Sequence, residues 1–112
     1  MNHRRWNIGT LTAVDRAAVR AYENERIIID QIWITNKDTS NRSVDLHHLP
    51  AGDTSSIDDF CLIHDYTINA KTFTKLDTKI YMNPGDELQV GASAGSAIIV
   101  TFYGRVFYDR AD

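Results

Sequence analysis

The twelve residues from Arg26 to Lys37 constrain this chain more than any other stretch. Within them, Ile27, Ile28, Ile29, Ile32, Trp33, Ile34 and Thr35 crowd β-branched and aromatic side chains into one run. Such side chains are stiff at χ1 and fit a pleated surface better than a helix. The run therefore reads as the strongest strand. Strict alternation puts Ile28, Ile32 and Ile34 on one face and Ile27, Ile29, Trp33 and Thr35 on the other. A strand that is apolar on both faces must be covered on both sides.

Turn chemistry extends the β reading. Thr39-Ser40-Asn41-Arg42 reads as a turn. A strand from Ser43 to Leu49 follows, with Val44 and His48 on one face and Asp45, His47 and Leu49 on the other. Leu49-Pro50-Ala51-Gly52-Asp53 stops it, because proline donates nothing to a ladder. Thr78–Met82 and Glu87–Ala92 flank Asn83-Pro84-Gly85-Asp86, where proline then glycine suits a type II turn. The last strand runs from Ala97 to Tyr108. Short strands with turn signals between them predict an all-β fold, an antiparallel β-sandwich or jelly-roll-like domain of about eight strands. Its predicted core is Ile28, Ile32, Ile34, Leu88, Val90, Ile98, Val100 and Phe102. Two segments stay open. Ala13–Glu25 carries Val14, Ala17, Ala18, Ala21 and Tyr22 at helical spacing with Thr12 as N-cap; the competing reading, a strand with a turn at Glu23-Asn24-Glu25, is preferred because the neighbouring segments are β. Ser55–Asp65 could hold a short capped helix.

The chain has 112 residues, a net charge of −3, 43% hydrophobic and 24% charged residues. That is the size and balance of one globular domain. We divide it into an N-terminal arm (1–7), a β-sandwich domain (8–108) and a C-terminal tail (109–112). The acidic balance speaks against a nucleic-acid partner, whose phosphates call for clustered Lys and Arg. No apolar stretch follows Arg4-Arg5, and Ile27–Ile29 and Ala97–Val100 are far too short to span a membrane. One cysteine, Cys61, excludes an intrachain disulfide and a Cys-rich zinc site.

Each candidate for chemistry has an ordinary reading. Gly91-Ala92-Ser93-Ala94-Gly95 matches a nucleophile elbow, but a β-branched strand follows where a helix is required, and His3, His47, His48 and His64 all precede Ser93. A hairpin loop explains it. Cys61-Leu62-Ile63-His64 has half a zinc site's spacing, yet His47 and His48 point to opposite faces and cannot both complete it. Asp58, Asp59 and Asp65 lack calcium-loop spacing. No catalytic residue, metal or cofactor is expected, and the chain reads as a non-enzyme.

The informative feature is two-sided hydrophobicity. In the final strand Ile98, Val100, Phe102, Val106 and Tyr108 share one face, and Ile99, Tyr103 and Phe107 the other. The outer side is covered either by the Ala13–Glu25 segment of the same chain or by another subunit; in the second case the outward set, with Trp33 and the Arg4-Arg5-Trp6 arm, forms a candidate protein interface: Arg4, Arg5, Trp6, Trp33, Ile99, Tyr103 and Phe107.

Several phrases carry a resemblance: Ile8-Gly9-Thr10-Leu11-Thr12, the Arg26–Asn36 strand ending in Thr35-Asn36, Met82-Asn83-Pro84-Gly85-Asp86-Glu87-Leu88-Gln89-Val90 before Gly91-Ala92-Ser93-Ala94, and Ile99-Val100-Thr101-Phe102-Tyr103-Gly104. Over Ile8–Val106 the chain resembles small β-sandwich virion proteins of tailed bacteriophages, used as capsid decoration (cement) proteins and as head or tail appendages. It departs from the simplest of these in an insertion-like Ser55–Lys75 stretch and in the tail Phe107-Tyr108-Asp109-Arg110. The resemblance implies a virion structural protein on the capsid exterior, made in the host cytoplasm. It implies a homo-oligomer, a trimer, binding the major capsid protein or another virion protein, with no nucleic-acid or membrane partner. The alternatives are a neck, tail or fibre-anchoring subunit, or a cellular carbohydrate- or protein-binding module that uses Trp33, Tyr81 and Tyr103 as an aromatic platform.

Overall fold

The structure, a computed structural model, describes residues 2–8, 16–52, 60–92 and 98–108. Eight strands account for nearly all of them: β1 (Asn2–Ile8), β2 (Arg16–Arg20), β3 (Glu25–Asn36), β4 (Arg42–Leu49), β5 (Cys61–Ile68), β6 (Phe73–Met82), β7 (Glu87–Ala92) and β8 (Ile98–Tyr108). They form two four-stranded sheets, ordered β1-β8-β3-β6 and β2-β7-β4-β5. Every pairing is antiparallel. β1 pairs with β8, β2 with β7, β3 with β6 and β4 with β5. Four nested pairs are what results when one long hairpin rolls over on itself. The fold is the eight-stranded jelly roll expected from the turn spacing.

The two inner faces meet in a core of Ile27, Ile29, Ile32, Ile34, Val44, Leu46, Leu88, Val90, Val100, Phe102 and their neighbours. Of the predicted core residues all are buried but Ile28. A β-bulge between Ile29 and Gln31 explains the exception. Asp30 is the extra residue relative to β8, where Ile29 and Gln31 pair with the consecutive Gly104 and Tyr103. It turns Ile27 and Ile29 inward before the bulge and Ile32 and Ile34 inward after it, so Ile28 faces out on the same side as Trp33. Gly104 on β8 lies against this bulge. A Cβ there would stand 2.4 Å from the Ile28 carbonyl oxygen and 3.2 Å from Ile29 Cα. Its φ is not positive, so close approach, not backbone freedom, is the reason for glycine.

Two further expectations change, and one open reading is decided. Asn2–Ile8 is the edge strand of a sheet, not an arm apart from the domain, because its ladder to β8 runs from Asn2↔Val106 to Ile8↔Val100. Arg16–Arg20 is a strand, and the chain turns at Glu23-Asn24, where Asn24 has φ 68°. The Ser55–Lys75 stretch is not an insertion: it supplies β5 and the start of β6. The short helix considered over Ser55–Asp65 is contradicted where it is described, since Cys61–Ile68 is strand; its residues 55–59, the phrase Gly9-Thr10-Leu11-Thr12, the Thr12 N-cap and Val14, Ser93-Ala94-Gly95 and the tail 109–112 lie outside the described residues.

Side chains lock the turns. Buried Asn36 donates from Nδ2 to the carbonyls of Ser40 (3.0 Å) and Ile68 (2.9 Å), and its Oδ1 accepts from the Asp38 amide at 2.9 Å. Buried Asp86 accepts from the amides of Ala51 (3.1 Å) and Asn83 (3.0 Å) and faces His48 Nε2 at 3.0 Å. An opening between the sheets, lined by Ile32, Leu46, Val90 and Phe102 among others, measures about 10 Å³. That is room for one water at most.

Candidate interaction face

The outer face of the β1-β8-β3-β6 sheet collects most of the unusual side chains. β6 alternates cleanly: Leu76, Ile80 and Met82 point in, and Phe73, Lys75, Asp77, Lys79 and Tyr81 point out. β3 contributes Ile28, Asp30, Gln31 and Trp33, and β8 contributes Ile99, Thr101, Tyr103, Arg105 and Phe107. Register places them in rows across the strands: Arg5 beside Tyr103, Tyr103 beside Gln31, and Gln31 beside Asp77.

One end of the face is aromatic. The rings of Trp33 and Phe73 stack at 5.5 Å between centroids, with the Lys75 ammonium 5.8 Å from the Trp33 ring. Phe73 is 61% exposed despite this contact. The centre is charged. The Asp30 carboxylate receives a two-pronged bond from Arg105, Nε at 3.0 Å and Nη2 at 2.9 Å, and a close contact from Lys79. The Arg105 hydrogen bond is the main cause that holds the Asp30 carboxyl down at about 2, with Lys79 assisting against partial burial. The same pairing raises Arg105 further. At the far end the Arg105 guanidinium lies 5.9 Å from the Phe107 ring. A shallow depression of about 810 Å³ opens at the centre, lined by Arg5, Asp30, Gln31, Asp77, Lys79 and Tyr103 among others.

Of the interface residues read from the sequence, Arg5, Trp33, Ile99, Tyr103 and Phe107 share this outer face. Arg4 and Trp6 do not. Strand alternation turns them to the inner side, where Trp6 packs on the core. Arg4 bonds the Tyr108 hydroxyl at 3.1 Å and lies 3.8 Å from Glu25. Asp30, Gln31, Phe73, Asp77, Lys79 and Arg105 were not read from the sequence. The period-2 pattern of Phe73–Met82 carries the signal for three of them, Phe73, Asp77 and Lys79, since every second residue there is large or charged.

Elsewhere, Asp45, His64 and Asp65 bring their ligand atoms within 4.8 Å of one another. His64 Nδ1 lies 3.4 Å from Asp45 and its Nε2 3.3 Å from Asp65. Among the described residues this is the group that could hold a cation, and it excludes the Cys61–His64 pairing: Cys61 Sγ instead contacts the Ile63 carbonyl at 3.2 Å. His48 and Asp86 line a second opening near Cys61, but both oxygens of Asp86 are engaged with turn amides. Ser93, Asp58 and Asp59 lie outside the described residues.

No protein-family model matches this chain, and no curated protein matches it. Among solved structures it is similar to a chain in the structure of infectious bursal disease virus, Gx strain, at 13% identity and a TM-score of 0.48. The alignment covers 100% of this chain and 38% of that one, so this chain spans well under half of the viral protein's length. The likeness is too distant to assign a role.

Proposed function

We propose that the chain is a non-catalytic virion structural protein whose assembly surface is the outer face of the β1-β8-β3-β6 sheet. Its most specific form is a capsid decoration protein of a tailed bacteriophage. The observation that carries the reading is the face itself. A sandwich needs only its inner layer, and outer faces normally read polar. Here Trp33, Phe73, Ile28, Ile99, Tyr103 and Phe107 lie outside, interleaved with an ordered Asp30–Arg105–Lys79 cluster. Outward-facing aromatic and Arg side chains are the residue types enriched in protein-binding surfaces. The resemblance of its turn and strand phrases to phage virion proteins supports a virion setting, and the jelly roll is an architecture of capsid and lectin domains. Fold alone does not choose between those two.

The carbohydrate reading fits less well. Trp33 presents a stacking platform only with Phe73 on one side and Lys75 nearby, which leaves Tyr81 and Tyr103 as open rings. Mass spectrometry of gradient-purified particles from the replicon that carries the gene tests the proposal. The protein should be present in fixed ratio to the major capsid protein. Its absence from particles, with binding to a glycan panel that Tyr103→Ala abolishes, would replace the virion reading with the carbohydrate one.

A further inference from the structure

We propose that the outer face of the β1-β8-β3-β6 sheet pairs with a second copy of this chain, face to face, about a two-fold axis parallel to the strands. The inference rests on the reading of that face as an assembly surface and names its partner. Three observations carry it.

The first is charge order. Across the four strands one row reads Arg5, Tyr103, Gln31, Asp77, each beside the next in register. Every one of these residues sits at or next to the middle of its strand. A two-fold axis along the strands lays β1 of one copy over β6 of the other, and β8 over β3. Arg5 then meets Asp77 of the second copy, and Tyr103 meets Gln31 of the second copy. Both contacts occur twice, as an isologous interface requires. The row is its own complement: cation over anion, and a phenol over a carboxamide that can accept its hydrogen bond. The other in-plane axis, across the strands, stacks Arg5 on Arg5 and Asp77 on Asp77. Like charges in contact rule that arrangement out. Packed sheets cross at about 30°, which displaces the ends of a central row by about 4 Å, within the reach of an arginine side chain, and rows farther along the strands by more.

The second is that the row is available. Arg5 makes no ion pair among the described residues, and Asp77 has only Lys75, at 3.8 Å along its own strand. The Asp77 side chain is 68% exposed. By contrast Asp30, Arg105 and Lys79 already satisfy one another, so they form a rigid floor and do not compete for Arg5.

The third is area. Four strands at about 4.8 Å spacing and about ten residues of about 3.3 Å rise give a plan of roughly 600 Å² per copy. Two copies bury about 1,200 Å² before side-chain relief is counted, which reaches the standard range for a specific complex. Trp33 with Phe73 at one end, and Ile28 with Phe107 at the other, flank the polar row as apolar anchors.

Sedimentation equilibrium of four proteins decides the matter: wild type, Arg5→Asp, Asp77→Arg and the double reversal. Wild type should be a dimer at micromolar concentration. Each single reversal converts two attractions into two repulsions and should weaken association about a hundredfold. The double reversal should restore it. Both positions are exposed, so all four should keep one far-UV spectrum and one monomer thermal midpoint. A monomeric wild type, a trimer indifferent to either single reversal, or a double variant no tighter than the singles would overturn the pairing. Particle mass spectrometry separates this from the virion reading. A monomer found in particles sinks the pairing alone, and a dimer absent from particles sinks the virion role alone.

Discussion

Replacing Gly104 with alanine should damage this fold more than its size suggests. The added methyl would sit 2.4 Å from the Ile28 carbonyl oxygen and 3.2 Å from both Ile29 Cα and Ile29 Cδ1. An ordinary carbon–oxygen contact needs about an ångström more. Ile29 Cδ1 can swing away, but the carbonyl and the Cα belong to β3. That strand is held between β8 and β6, so relief requires the two central strands to part. Overpacking of this kind costs about 1–3 kcal/mol, and backbone obstacles put it at the upper end. The loss of unfolded-chain entropy returns about 0.4–1 kcal/mol. The net is a loss of about 2 kcal/mol, or about 10 °C in the thermal midpoint of a domain this size. Gly52→Ala is the control. Gly52 has φ +85° and nothing within 4 Å of its would-be Cβ, so it carries conformational strain alone, about 1 kcal/mol. Urea denaturation of the two variants compares them. A Gly104→Ala protein as stable as wild type, or less affected than Gly52→Ala, would refute the claim that the bulge presses on β8.

Other expectations follow from the locks and the face. Asn36→Leu removes three hydrogen bonds at a buried corner and should cost about 2–4 kcal/mol by chemical denaturation. Asp30 is held at about 2, below its ordinary 3.8, so the folded state binds fewer protons than the unfolded one in between. Its stabilisation is complete above about pH 4 and fades as pH falls through about 2, and for a partly exposed group it amounts to about 1 kcal/mol. The midpoint difference between wild type and Asp30→Asn should therefore shrink from pH 5 towards pH 2. Trp33→Ala should leave the protein folded with a loss of about 1 kcal/mol, because its ring stacks on Phe73 outside the core; a far-UV spectrum of an unfolded chain would contradict that.

Much of the architecture could be read from residues alone where alternation is unbroken. In β8, Ile98, Val100, Phe102 and Val106 are buried as the period-2 pattern requires, while Ile99, Tyr103 and Phe107 face outward. Arg4, Arg5 and Trp6 could not be read as one patch once their segment proved to be a strand, since neighbours on a strand point to opposite faces. Register across β1, β8, β3 and β6 is a long-range property, so the row of Arg5, Tyr103, Gln31 and Asp77 has no local signature. The bulge left a faint one. Between Ile29 and Ile32 stand two polar residues, Asp30 and Gln31, where simple alternation allows one. That phase slip is the trace of an inserted residue, and Gly104 is its answer on the neighbouring strand.

The same inserted residue ties the interior to the exterior. Without a bulge, β3 could bury either Ile27 and Ile29 or Ile32 and Ile34 on the inner face, but not both pairs. With it, all four enter the core, and the surplus position is left facing solvent. Aspartate there would carry an unpaired charge beside half-buried aromatics, so it is matched by Arg105 from β8 and Lys79 from β6. The three charges thereby clamp β3 to both its neighbours at the point where the ladder is irregular. They also keep Arg105 and Lys79 from competing with Arg5 for Asp77. The layout of the outer face is thus set by the demands of the core beneath it, and a substitution at Asp30 acts on both.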